Sequence, residues 1–230
     1  MSGSEWRVVV GADETTAIYD PATTKEVAVF LCAHGAGGSM SDKSTLAAAR
    51  AMRSAGLGVV RFNFLYRERG SGGPDKMPKL TACFEAVVAR AREEIEPQKL
   101  IIGGRSMGGR AASMLASEGF AADGVLLLAY PLHPPGQTDK LRDAHLSSIT
   151  MPVLCFNGTR DTFCEPALMK SVVKRLKSNW TMHWLEGADH GFHVPKSAGR
   201  TDGEVLDEVA EATRPWLREV TGAPAAFGSR

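Results

Sequence analysis

Short apolar, β-branched runs recur along this chain, spaced by segments of helical length. "WRVVVG" and "TTAIYD" come first, placed to form an opening hairpin, followed by "VAVFLCAHG", "GLGVVRFNF", "KLIIGG", "GVLLLAYPL", "MPVLCFNG" and "WTMHWLEG". Amphipathic periodicity predicts helices over Ser44–Ala55, Leu80–Glu94, Gly109–Ser117 and Pro166–Lys177, with a last one over Asp202–Val220. Gly56 and Gly119 stand where helices end, and Pro97 stops another. Strands that are apolar almost throughout have no face left for water, so their alternation with helices predicts a mainly parallel sheet covered on both sides. In such a sheet, ligands gather at the C-terminal ends of the strands.

No shift in composition and no long Pro/Gly/Ser linker divides the 230 residues, so a single domain over 1–230 is expected, with 221–230 ("TGAPAAFGSR") a flexible tail. A formal charge of +1 offers no field for nucleic acid or acidic lipid. The start "MSGSEWRVVV" has no basic segment followed by an apolar one, and no run is long enough to span a bilayer. The expectation is a soluble, cytoplasmic protein without nucleic-acid or membrane partners. Cys32, Cys83, Cys155 and Cys164 show neither Cys-x-x-Cys spacing nor a metal-binding pattern, and Cys32 and Cys155 sit in apolar runs as small buried hydrophobes. Reduced thiols and no metal are expected.

Within "KLIIGGRSMGGRAASMLA", Ser106 lies between glycines, directly after an apolar run and directly before an alanine-rich helix. Glycines tolerate positive φ and close backbone approach, so Gly104-Arg105-Ser106-Met107-Gly108 predicts a sharp strand-to-helix turn with a serine hydroxyl at its apex. A serine is a poor nucleophile unless a base takes its proton, and the base needs a third group to orient it. "MPVLCFNG" runs into Asp161 and "WTMHWLEG" into His190, which gives the order Ser, Asp, His at three strand ends. Asp161 has a rival role as a helix cap. Asp189 adjoins His190, but neighbours in a tight loop rarely aim at each other's side-chain ends.

An acyl-transfer site also needs donors for the oxyanion. The amide of Met107, at the start of a helix, is one expected donor, and the loop "HGAGGSMSD" supplies the other through Ala36, or Gly37 one position on. The segment "FLYRERGSGGPDKMP" is a candidate specificity loop. Tyr66 and Arg67 are candidate substrate contacts there, with Arg67 or Arg69 able to pair with a carboxylate. His133 and His193, near strand ends, are further candidate contacts; His34, His145 and His183 read as structural, and Arg105 as packing beneath the turn. Neither "GGRSMGGR" nor "GAGGSM" has the spacing of a phosphate or dinucleotide loop, so no cofactor is expected.

Taken together, the chain resembles the α/β-hydrolase superfamily over nearly its whole length. "AHGAGG", "RFNFLYRE", "PDK", "GGRSMGGR", "YPLHPPG" and "NGTRDTF" resemble a small lidless branch near the dienelactone-hydrolase-like proteins, including testis-expressed and chromatin-complex-related predicted hydrolases. The resemblance implies an α/β-hydrolase fold, a mainly parallel central sheet with helices on both faces and no separate cap domain. It also implies a Ser106, Asp161, His190 triad. Dienelactone hydrolases use a cysteine nucleophile where this chain has Ser106, so lactone hydrolysis does not carry over. The expected activity is hydrolysis of small-molecule carboxylic esters or thioesters with short acyl groups. Two alternatives are a non-catalytic binding module on the same fold and a peptidase, for whose usual extra domain the chain has no room.

Overall fold

A computed structural model of the chain describes residues 3–176 and 179–222. Eight strands form one sheet: β1 Ser4–Val10, β2 Asp13–Asp20, β3 Ala28–Ala33, β4 Leu57–Phe62, β5 Leu100–Arg105, β6 Gly124–Leu128, β7 Val153–Gly158 and β8 Trp180–Leu185. Their spatial order is β1-β2-β4-β3-β5-β6-β7-β8. The β1–β2 hairpin and the β2–β4 pairing are antiparallel, and every pairing from β4 to β8 is parallel.

Side chains on a strand alternate between faces, and each parallel strand therefore feeds two cores. On β3, Val29, Leu31 and Ala33 enter one core while Ala28, Phe30 and Cys32 enter the other. The first core is closed by three helices: α3 (Met77–Ile95), α4 (Met107–Ser117) and α5 (Pro166–Val173). The second is closed by α1 (Lys43–Ser54) and α6 (Asp202–Thr221). One further helical turn, α2 (Leu65–Glu68), lies inside the segment expected to be a loop. This is the predicted α/β architecture with both sheet faces covered.

The helix ends differ from expectation at a few points. Helix α3 begins at Met77 rather than Leu80, because Pro78 is tolerated in a first turn. Helix α4 begins at Met107, immediately after Ser106, instead of Gly109. Helix α5 stops at Val173, short of Lys177, which lies outside the described residues. Thr221, expected in the tail, still belongs to α6, whose end is capped by Gly222 at φ 66°. The rest of the expected tail, 223–230, lies outside the described residues.

From β3 the chain crosses to β4 on one side, and from β4 it returns to β5 on the other. The segments leaving β3 and β5 therefore diverge around a crevice at the topological switch point. No cap covers it: among the described residues, the connection from β6 to β7 contains only a short 3-10 turn, Leu146–Ser148.

Candidate active site

The β5–α4 turn is held in a conformation that L side chains rarely adopt. Ser106 has φ 48° and ψ −113°, and its amide donates to the Leu128 carbonyl at 2.9 Å. The turn fits because glycine stands wherever β3 crowds it. A Cβ on Gly104 or on Gly108 would collide with the Ala33 carbonyl. Gly108→Ala is accordingly expected to cost about 1–3 kcal/mol of stability through overpacking, measured by urea unfolding; an unchanged midpoint would contradict this tight approach.

Around the turn, side chains from three strand ends meet. His190 Nε2 lies 2.9 Å from Ser106 Oγ, and His190 Nδ1 lies 2.9 and 3.0 Å from the two Asp161 carboxylate oxygens. The Asp161 carboxylate is fully buried, while the His190 side chain keeps 23% of its surface exposed. Asp161 is fixed from behind: Oδ1 accepts from the Phe163 amide at 2.8 Å and Oδ2 from the Asn157 amide side chain at 3.0 Å. Asn157 is itself buried and hydrogen-bonded to both backbone groups of Tyr130. With its Nδ1 proton directed at a carboxylate, the imidazole presents an unprotonated Nε2 to the hydroxyl, and can take the serine proton.

Asp189, adjacent to His190, does different work. Its Oδ1 accepts from the amides of Gly191 and His193 at 2.7 and 3.0 Å, ordering the loop that carries His190. Arg105 holds the same loop from the sheet side, donating to the His190 carbonyl at 2.6 Å and lying over the Phe192 ring.

A second serine–imidazole pair, Ser113 and His145 at 2.8 Å, is built differently. Ser113 is fully buried on α4, and its hydroxyl also reaches the Arg110 carbonyl at 2.8 Å. Burial first, then the positive charge of Arg110, push the His145 pKa down to about 4. Among the described residues no carboxylate hydrogen-bonds to its ring, and neither residue lines the cavity described below.

Ala36 and Met107 line the crevice beside Ser106, and neither amide has an acceptor among the described residues. The Gly37 amide donates to the Tyr66 hydroxyl at 3.2 Å, so of the two candidate donors in that loop Ala36 is the one without an acceptor among the described residues. His34 orders the start of the loop: one ring nitrogen contacts the Gly35 carbonyl at 2.8 Å and the other accepts from the Phe64 amide at 3.1 Å.

A cavity of about 300 Å³ opens beside Ser106, lined among others by Ala36, Met107, Arg110, Arg142 and Phe163. None of Tyr66, Arg67, His133 and His193 lines it. Tyr66 is buried, and its hydroxyl accepts from the Gly37 amide and so anchors the Ala36–Gly37 loop. Arg67 shares the short α2 with it, its Nε buried. His133 is buried with both ring nitrogens engaged, by the Pro134 carbonyl and the Glu165 amide. His193 is exposed and paired with Asp202 at 2.9 Å, which raises its pKa through that hydrogen bond. Arg69 is bound to Asp75 at 2.6 Å. Sequence reasoning missed Asn157, Arg110 and Arg142; a polar residue inside the apolar run "VLCFNG" was the visible signal for the first. Among the described residues, no group of three or more His, Cys, Asp or Glu side chains is placed to hold a metal ion, and no helix is long and apolar enough to cross a membrane.

The sequence model of a family described as an alpha/beta hydrolase domain matches residues 26–218. Among solved structures, an alpha-beta serine hydrolase homologue from Coxiella burnetii superposes with a TM-score of 0.74 at 20% identity, covering 94% of this chain and 98% of that one. A serine hydrolase without a lid from Xanthomonas campestris gives 0.73 at 21% identity, over 94% and 96%. A dienelactone hydrolase from Anabaena variabilis gives 0.70 at 19% identity, over 95% and 99%. At these identities the likeness is one of fold.

Proposed function

From the premise that this chain belongs to the alpha/beta hydrolase family, we propose that it is a lidless serine hydrolase of carboxylic esters or thioesters, acting through an acyl-Ser106 intermediate. The observation that carries this reading is the unbroken hydrogen-bond chain Ser106–His190–Asp161 beside two free amides.

In this mechanism Ser106 Oγ attacks the substrate carbonyl carbon while His190 Nε2 takes its proton. The amides of Ala36 and Met107 hold the resulting oxyanion, with the dipole of α4 behind the second donor. Collapse breaks the carbonyl carbon's bond to the leaving oxygen or sulfur, and the imidazolium returns the proton to that leaving group. Water then adds to the acyl carbon, giving its proton to His190. The acid departs as Ser106 regains a proton.

Labelling of the folded wild-type protein by a fluorophosphonate, which requires an activated serine, tests the reading; absence of labelling would sink it in favour of a binding module. The cavity of about 300 Å³ lies at the small end for ligand pockets, which supports short acyl groups. Butyrate esters are expected to exceed laurate esters in kcat/KM by about tenfold or more, and a 4-nitrophenyl ester series that runs the other way would overturn the preference. All four cysteines are buried as free thiols, which suits the reducing cytoplasm where we place the enzyme.

A further inference from the structure

Two arginines line the cavity beside Ser106, and the hydrolase mechanism uses neither. Arg110 lies one helical turn beyond Ser106, its amide donating to the Ser106 carbonyl at 2.9 Å, so both occupy the same face of α4. Arg142 comes from the connection between β6 and β7. Its backbone is pinned on both sides, the amide donating to the Leu132 carbonyl at 2.7 Å and the carbonyl accepting from the Tyr130 hydroxyl at 2.6 Å. One Arg142 guanidinium nitrogen donates to the Pro131 carbonyl at 3.3 Å.

Neither guanidinium forms an ion pair among the described residues, and Arg110 Nε is buried without a hydrogen-bond partner. The nearby carboxylates form their ion pairs with other arginines. Asp75, which also lines the cavity, is bound through Oδ1 to Arg69 at 2.6 Å while its Oδ2 is buried without a partner, and Asp143 is bound to Arg175 at 2.7 Å. Burial first, then the like charge of Arg110, pull the Arg142 pKa below its ordinary value. Two unpaired guanidiniums brought together in a cavity are the arrangement that a bidentate anion relieves. His190, which hands its proton to the leaving group, is not among the residues lining this cavity, and the acyl side of the substrate is assigned to it on that basis.

We propose that Arg110 and Arg142 form an anion subsite for a carboxylate at the far end of the acyl chain, so that the substrates are half-esters or half-thioesters of short dicarboxylic acids. The inference rests on the hydrolase reading above and deepens it.

The test compares kcat/KM for 4-nitrophenyl butyrate and mono-4-nitrophenyl glutarate in wild type, Arg110→Gln and Arg142→Gln. Wild type is expected to favour the anionic ester by about tenfold or more, and each substitution to cut that ratio by about tenfold. Should Arg110→Gln fail to fold, Arg110→Lys takes its place: it keeps the charge, loses the planar fork and is expected to hold only part of the preference. A wild-type ratio at or below one, or a ratio that no variant alters, overturns the subsite while the hydrolase reading stands. If neither ester is turned over, fluorophosphonate labelling decides the hydrolase reading and calorimetric titration of wild type with glutarate decides the subsite. Binding that weakens in Arg142→Gln upholds it, and no binding overturns it.

Discussion

Ser106→Ala is expected to abolish fluorophosphonate labelling and to lower ester turnover by roughly a millionfold, the loss seen when a triad nucleophile is removed. The fold should survive. Alanine keeps the Cβ at a backbone φ of 48°, and the only side-chain hydrogen bond removed among the described residues is the 2.9 Å one to His190. The same labelling on Ser113→Ala provides the control. Ser113 is the other serine in contact with an imidazole, but it is fully buried and its histidine lacks a carboxylate partner among the described residues. Labelling that persists in Ser106→Ala and disappears in Ser113→Ala would move the nucleophile to the second pair and overturn the proposed mechanism.

Asp161→Asn carries the second large effect, a fall in kcat of about ten-thousandfold with KM little changed. The reason is the imidazole tautomer. An amide nitrogen facing His190 Nδ1 donates where the carboxylate accepted, driving the ring proton to Nε2, which then cannot take the serine proton. The substitution also has no comfortable orientation. One rotamer sets its NH2 against the Phe163 amide, and the other sets it against the Asn157 side chain, both donors at 2.8 and 3.0 Å. Some loss of stability should accompany the loss of rate. Asp161 does not line the cavity, so steady-state kinetics should place the defect in kcat; a variant whose KM alone rises would remove Asp161 from the triad.

The sheet was legible in the sequence because strands buried on both faces leave long apolar runs with nothing to confuse them. The same runs located Asp161, just past the fully buried β7, and His190, past the edge strand β8, because both strands end at the sheet's C-terminal edge. What stayed hidden depended on contacts between distant segments. Helix α2 offers a single turn, too short for any periodicity, and Tyr66 within it looked like an exposed loop residue. Its burial comes from packing beside His34, from which it is separated by a strand and a helix. Arg110 and Arg142 belong to different elements whose convergence is a property of the folded chain. His133 and His193 sit near strand ends as expected, but one is enclosed by backbone groups and the other faces water.

The contact between Arg105 and the His190 carbonyl ties together two segments that are 85 residues apart in the chain. It makes the residue before the serine answerable to the geometry of the base, so that position is closed to diversification for new substrates. Mutational tolerance should therefore be divided within the site itself. The rim formed by the start of α3 and the β6–β7 connection is free to evolve new selectivity, whereas the floor beneath the serine can vary only at the expense of the chemistry.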